Sequence, residues 1–476
     1  MNELQKEDIQ RRVARCMPWI LLFEFFYTFN DNVFNLITPN LSEQFGVTPS
    51  TISLIVTFSK LFFGIASIVY TALSDIISIR KVMLLTSVAF PVATLLGVFS
   101  QDSFTLLVVS RILFAVTIAA PVALQIIIAI KYFDKLTAAK YLGYNTAIYQ
   151  LASAAGHLFG GYIAEYLSWN LVFLIPVLTI FGLPVLFKNL PKEVTLKGSF
   201  DAVGMILMTA ISTFLITYLT FKMQYPLLLI GAVVCAALFV WHTFKSKNPF
   251  LKPELFRTRG ITRSLIVGVL FYATQIGFYF VFPFIVNKTY HMSTSTIGAF
   301  YTITNIAAFI IGMFTGRIIK KIGYRNIALL GGTFIFAGLG MIAFFVGFSV
   351  VFSFVGMGLF NIGYVLFFSG YLANFTQLLP THQHGAGIGV EKLVVTIAAS
   401  LGGAFVAMLY GQPFMMTKIV DFSANTQTAL FSNVSLVLMI LIGLATWLFV
   451  SVFGKSFNRQ EEFGQREPGT SAQGQV

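Results

Sequence analysis

The chain carries fourteen apolar runs, each long enough to cross the roughly 30 Å hydrocarbon core of a bilayer as a helix of about 20 residues. They fall at 17–38, 51–73, 82–100, 104–130, 141–164, 168–187, 202–220, 226–244, 264–287, 297–316, 326–347, 350–376, 386–410 and 431–453. A backbone in oil must satisfy its own hydrogen bonds, so such runs fold as helices. Composition points the same way. Of 476 residues, 57% are hydrophobic and 10% charged, against about 25% charged in soluble domains. A cytosolic enzyme and a disordered chain are excluded, and two cysteines, Cys16 and Cys235, cannot build a disulfide framework. The expected fold is all-α and polytopic.

Basic residues decide the orientation, because they concentrate in cytoplasmic loops. With the amino terminus inside, the inner segments hold 25 of the 31 Lys and Arg residues, and the outer loops hold only Lys222, Lys288 and Lys418. Lys60, Arg111 and Lys392 lie within or at the edge of spans. Both termini are therefore expected in the cytoplasm, and the net charge of +13 reflects loop topology rather than nucleic-acid binding. The loop KSKNPFLKPELFRTRGITR marks a boundary. The expected organisation is a cytoplasmic tail (1–16), a six-helix bundle (17–187), two extra helices with a basic inner loop (188–263), a second six-helix bundle (264–453) and a disordered cytoplasmic tail (454–476).

Two of the 18 acidic residues lie deep in a span, Glu24 and Asp31, both in the first. A charge at mid-bilayer costs about 2.5–3.5 kcal/mol on insertion scales, so it is kept for a cavity, a partner or a proton. Seven residues apart, they share one helical face with Thr28 and Asn35, about 10.5 Å separating the two acids along the axis. Asn30 and Asn32 flank Asp31 and make an unusually polar turn. Counting residues from the span ends places Lys60 and Arg111 near the depth of Asp31. The pattern reads as one charge-holding and one proton-exchanging carboxylate, or as a structural ion pair tying three helices. In the fifth span Ala152, Gly156 and Gly160 repeat every four residues, with Gly161 beside them, a close-packing face; His157 within it reads as a satisfied polar residue. Glu391 and Lys392, at the start of the thirteenth span, read as solvated. His382 and His384 lack the companions a metal site needs. No P-loop and no nucleophile–base pair occurs, so neither ATP-driven transport nor an enzyme is expected.

TALSDIISIRK resembles the major-facilitator loop pattern between the second and third spans, matching at Leu73, Asp75, Arg80 and Lys81, with Thr71 in place of glycine. LLVVSRILFAVTIAA resembles the fourth-span pattern around its arginine, here Arg111, with Phe114 and Ala115 where Gln-Gly is usual. ASAAGHLFGG resembles the antiporter pattern at Gly156, Gly160 and Gly161, with Ala152 and His157 replacing a glycine and the proline. FNDNVFNLITPNL looks like the first span of fourteen-helix drug:proton antiporters, with Asp31 at the acidic position and Pro39 at its end. Across nearly its whole length the chain resembles the Gram-positive tetracycline:proton antiporters of that branch.

The resemblance implies a major-facilitator fold of fourteen transmembrane helices in a six, two, six order, in a bacterial cell membrane. It implies a proton-coupled exporter of amphiphilic drugs, tetracycline-like compounds first. Proton coupling then falls to Asp31, Glu24 and Arg111 with Lys60 as charge partner, and the cytoplasmic gate to the Leu73–Lys81 loop. Tyr27, Asn35, Asn145 and Gln150 are cavity candidates, with Phe23 and Phe26 nearby. A lipid-embedded monomer that exchanges protons for a small molecule, without cofactor, metal or nucleic acid, is the expectation. The alternatives are export or proton-linked uptake of an endogenous lipophilic metabolite and, more remotely, an intramembrane enzyme.

Overall fold

The computed structural model describes residues 3–74, 76–191, 201–246, 249, 253–256, 260–379, 384–417, 419 and 426–454. Asp75, His382 and the tail from 455 lie outside the described residues. The described chain is helical throughout, with no strand. In order it forms α1 (Glu3–Leu36), α2 (Thr38–Gln44), α3 (Pro49–Ile52), α4 (Leu54–Leu73), α5 (Ile79–Val98), α6 (Phe104–Tyr132) and α7 (Lys135–Tyr166). Two 3-10 segments, Trp169–Phe173 and Ile175–Gly182, lead into α8 (Leu183–Asn189). Then come α9 (Ala202–Thr220), α10 (Pro226–Lys245), α11 (Pro253–Phe256), α12 (Ile261–Tyr290), α13 (Thr294–Phe345), α14 (Val350–Leu378), α15 (His384–Tyr410) and α16 (Thr426–Val452).

Eleven of these segments are long and apolar enough to cross a membrane. α1 and α7 are not among them, because polar residues interrupt their apolar runs: Glu24, Asn30, Asp31 and Asn35 in α1, and Asn145, Gln150 and His157 in α7. α13 runs for 52 residues, about 78 Å at 1.5 Å per residue, too long for one crossing. It breaks at Gly323, where φ is 81° and ψ is 163°, a left-handed conformation that only glycine adopts without strain. The expected span 168–187 is 3-10 helical as far as Gly182 and α-helical only from Leu183. Pro176 and Pro184 each sit in the first turn of a segment, where the missing N–H costs no helical bond and a new segment starts. Through the amino-terminal tail α1 is continuous from Glu3, and it buries Val13 and Cys16.

The helices form two groups, α1–α8 and α12–α16, which meet through α7 against α13 and α4 against α15. α9 packs on both α4 and α15, and α10 packs on α9. Leu61 and Ile65 of α4, Met205 and Ile216 of α9 and Ala404 of α15 make one apolar cluster over that junction. The extra pair thus lies across the seam between the groups. Asp201 caps α9 by accepting from Gly204 N at 2.9 Å and joins His242 of α10 at 2.7 Å.

Within the second group α13 and α14 touch backbone to backbone. Gly331 and Gly338 of α13 face Phe367, Gly363 and Gly356 of α14, and any added Cβ would strike a carbonyl or amide. Small residues at this spacing allow the close approach that drives helix association in lipid. Gly363→Ala is therefore expected to cost about 1–3 kcal/mol, read as a lower melting temperature in detergent, with no comparable loss for Gly316→Ala, whose Cβ meets open space.

Candidate functional site

α1 brings its polar face inward against α4 and α6. Lys60 Nζ donates to Asp31 Oδ2 at 2.6 Å, and Arg111 Nη2 stands 3.9 Å from Asp31 Oδ1. The three side chains are 12%, 14% and 1% exposed for Asp31, Lys60 and Arg111. Arg111 donates to Asn30 Oδ1 and, through Nε, to the Ile55 carbonyl at 3.2 Å. Its guanidinium lies over the Phe34 ring at 4.4 Å and the Phe114 ring at 5.7 Å. Phe114, where the resemblance expects a glutamine, thus supplies a π face to the cation. Asp31 Oδ1, Arg111 Nη2 and Asn30 Nδ2 are buried without a hydrogen-bond partner. A cluster with unspent donors and acceptors in low dielectric is poised to rearrange when a charge changes.

Nearer the start of α1, Glu24 is buried and accepts from Thr28 Oγ1 at 3.2 Å. Asn145, whose Nδ2 is otherwise unpartnered, and Lys392 of the other helix group both stand in reach of it. Glu391 also departs from the sequence reading. It is 4% exposed rather than solvated, its Oε1 has no partner, and Tyr272 and Tyr371 stand in electrostatic reach. Tyr27 stacks on Phe63 with ring centroids 3.7 Å apart. Tyr149 is 46% exposed, although Glu24 and Asp31 lie in reach on one side and Tyr272, Tyr279 and Tyr364 on the other. Exposed surface enclosed in this way is a cleft between the groups, lined by aromatic rings and bordered by carboxylates. Gln150 is half-buried on the same helix as Tyr149. Asn35 does not open to the cleft; it donates to the Asp31 carbonyl at 2.8 Å on its own helix. Phe23 and Phe26 are buried in the core, Phe23 against Phe90.

The small-residue face of α7 meets two partners. Gly156 and Gly160 lie against Phe29, Asn32 and Val33 of α1, and Gly161 against the Thr294 carbonyl of α13; Ala152 is fully buried. On this far half, away from the ends where α1 and α12 begin, hydrogen bonds join the two groups. They include Thr294 to Asn40 at 2.9 Å, Thr302 to the Ala154 carbonyl at 3.1 Å and Ser50 to the Ala407 carbonyl at 2.7 Å, and Lys288 pairs with Glu43. Of the gate-loop residues, Arg80 donates to the Leu190 and Phe187 carbonyls at 2.9 and 2.5 Å, capping α8 within its own group. Leu73 is half-buried and Lys81 exposed.

Sequence reasoning missed the polar residues of the second group. Gln275, Asn305 and Asn361 interrupt apolar runs without charge, and only their shared depth in three different spans would have flagged them.

Two helix groups closed at one end around an aromatic cleft, with buried ion pairs beside it, define a membrane transporter. The family is equally plain: the model for the Major Facilitator Superfamily matches residues 20–403, and the chain belongs to that superfamily. Relatives include the riboflavin transporter RibZ of Clostridioides difficile, 24% identical over 83% of this chain and 88% of that protein. The methyl viologen resistance protein SmvA of Salmonella typhimurium is 23% identical over 80% and 79%. The putative multidrug resistance protein MdtD of Yersinia enterocolitica is 22% identical over 90% and 93%. Among solved structures, a bacterial homolog of the human lysosomal transporter Spinster, inward-facing and unoccupied, gives a TM-score of 0.66 at 12% identity, covering 94% of this chain and 98% of that one. A D-xylose–proton symporter gives 0.62 at 12% identity, covering 90% and 97%. These relatives and structures are transporters, and the chain is not an enzyme.

Proposed function

We propose that the protein is a proton-driven exporter of amphiphilic drugs, tetracycline-like compounds first, in the bacterial cell membrane. Fourteen crossings in a six, two, six arrangement, with both termini in the cytoplasm, accord with the charge distribution and with the break of α13 at Gly323. The observation that carries the reading is Asp31, a buried carboxylate bonded to Lys60, with a second oxygen that has no hydrogen-bond partner, close to an aromatic cleft. An acid so placed exchanges a proton at the expense of its ion pair, and that exchange redistributes Lys60 and Arg111. Glu24 extends the path toward the inner face, and Tyr27, Asn145 and Gln150 line the substrate side. In alternating access the two groups rock about the cleft; each proton entering at 100 mV contributes about 2.3 kcal/mol.

A second reading is transport of an endogenous planar metabolite, favoured by the riboflavin transporter among the relatives. One experiment separates them. In inverted vesicles holding a proton gradient, tetracyclines, quinolones and cationic dyes are expected to release protons on addition, and riboflavin is not. Release by riboflavin alone would replace the drug reading with the metabolite one, and release by neither would remove proton exchange.

A further inference from the structure

Glu391 of α15 is a buried acid that the efflux reading above does not use. It is 4% exposed, and its Oε1 is buried without a hydrogen-bond partner. Among the described residues no cation forms an ion pair with it. Lys392 follows it in the chain, but one step along a helix turns a side chain about 100° away. That lysine is exposed and stands in reach of Glu24 on the other helix group. The neighbours of Glu391 are Tyr272 of α12 and Tyr371 of α14. Tyr371 is fully buried and its hydroxyl donates to the Ser264 carbonyl at 3.2 Å. Tyr272 is half-buried and belongs to an aromatic corner. Tyr364 and Phe368, one turn apart on α14, hold their rings parallel to within 6°, with centroids 6.3 Å apart. The Tyr272 ring stands at 90° to the first and 88° to the second, with centroids 6.2 and 6.4 Å away.

The corner borders the cleft. Its three residues are half-buried, and Tyr272 and Tyr364 lie in reach of Tyr149 on the other group. Phe271, 1% exposed, stacks on Tyr364 at 4.7 Å and fixes that ring from one side. A carboxylate without a partner at this burial is costly and is kept for something positive. A proton would meet that need with no aromatic neighbour at all. Rings gathered around one corner add what a proton does not use, negative π faces that attract an organic cation. Tyr272 joins the two features, since it forms part of the corner and neighbours the acid. The site lies wholly in the second helix group, apart from Asp31, whose carboxylate is already paired with Lys60.

We propose that Tyr272, Tyr364 and Phe368, with Glu391 as counter-charge, form a subsite for an organic cation, an ammonium group carried on an amphiphilic body. The subsite rests on the efflux reading and deepens it by naming the charge of the substrate. Glu391 sets the preference for charge, and the rings receive the apolar groups around it.

Calorimetry on the full chain in lipid nanodiscs tests this with two probes of one shape, meta-hydroxyphenyltrimethylammonium and meta-tert-butylphenol, which differ in charge. The ammonium is expected to bind at least about tenfold tighter than the phenol. Glu391→Gln breaks no ion pair; it should weaken the ammonium about tenfold or more and leave the phenol unchanged. Tyr364→Leu and Phe368→Leu should each weaken the ammonium about three- to tenfold, whereas Tyr364→Phe, which keeps the π face, should not. The ring variants carry the test if Glu391→Gln does not accumulate. Equal binding of both probes by the wild-type chain overturns the subsite. Unchanged ammonium binding in Glu391→Gln overturns it too, and leaves the acid a proton carrier. An equal loss for both probes in the variants reduces these residues to packing and has the same consequence. The inverted-vesicle assay keeps the two readings apart. Ammonium preference without proton release retains the subsite and removes proton-driven export; proton release by drugs without ammonium preference does the reverse.

Discussion

Asp31→Asn is expected to abolish gradient-driven drug uptake into inverted vesicles, at least about a hundredfold, while leaving drug binding measurable. Asparagine matches the carboxylate in shape and can still accept from Lys60, but it cannot take up or release a proton at any working pH. It also leaves the Lys60 ammonium, 14% exposed, without its counter-charge, and removing one partner of a buried pair costs about 3–5 kcal/mol. Loss of folded protein would imitate loss of coupling, so the comparison includes Asp31→Asn with Lys60→Met. That pair removes both charges, should recover much of the melting temperature and should remain uncoupled. Wild-type uptake by either variant would sink the assignment of Asp31 to proton exchange. Recovered coupling in the double variant would make the pair a tie between α1 and α4 and nothing more.

How much of this site was readable beforehand depended on charge and on rise per residue. Asp31, Lys60 and Arg111 stand out because ionised groups in apolar runs are expensive, and counting at 1.5 Å per residue set them at one depth without knowledge of the packing. The structure places Lys60 and Arg111 on either side of the Asp31 carboxylate. Glu391 failed the same count, because its span was started only five residues earlier and the approach of Tyr272 and Tyr371 from α12 and α14 has no local signature. Asn361, Asn305 and Tyr279 escaped for a different reason. Each is tolerable alone in a helix that can bond its own backbone, and their meaning appears only once three separate helices bring them within 3.2 Å. The glycine stripe of α7 was visible because four small residues sit within ten positions. The longer-spaced set on α13 and α14 was not, because its members are seven apart and divided between two helices.

Gly298→Leu is expected to stop transport while leaving the chain folded. Gly298 lies in the first turns of α13, and a Cβ there would strike the His157 carbonyl of α7 and crowd Leu36 of α1. The obstacle is backbone within a helix, so it cannot turn aside as a side chain would. Relief comes only by moving α13 away from α7, which opens the far half of the seam that the Lys288–Glu43 and Thr294–Asn40 contacts now close. Overpacking of this kind costs about 1–3 kcal/mol, and since 1.4 kcal/mol is about tenfold in population, the closed state falls roughly five- to a hundredfold. Neither helix group loses internal packing, so the melting temperature should change little. Cysteines placed at Glu43 and Lys288, with Cys16 and Cys235 replaced by serine, report the distance across the seam: a short bifunctional maleimide should join them in the parent chain and fail to do so in Gly298→Leu. Gly316→Leu on the same helix, where the added side chain enters open space, serves as the control with normal cross-linking and uptake. Unchanged cross-linking together with unchanged uptake in Gly298→Leu would show that α7 and α13 need not close against each other in the transport cycle, and the seam would then be a static contact.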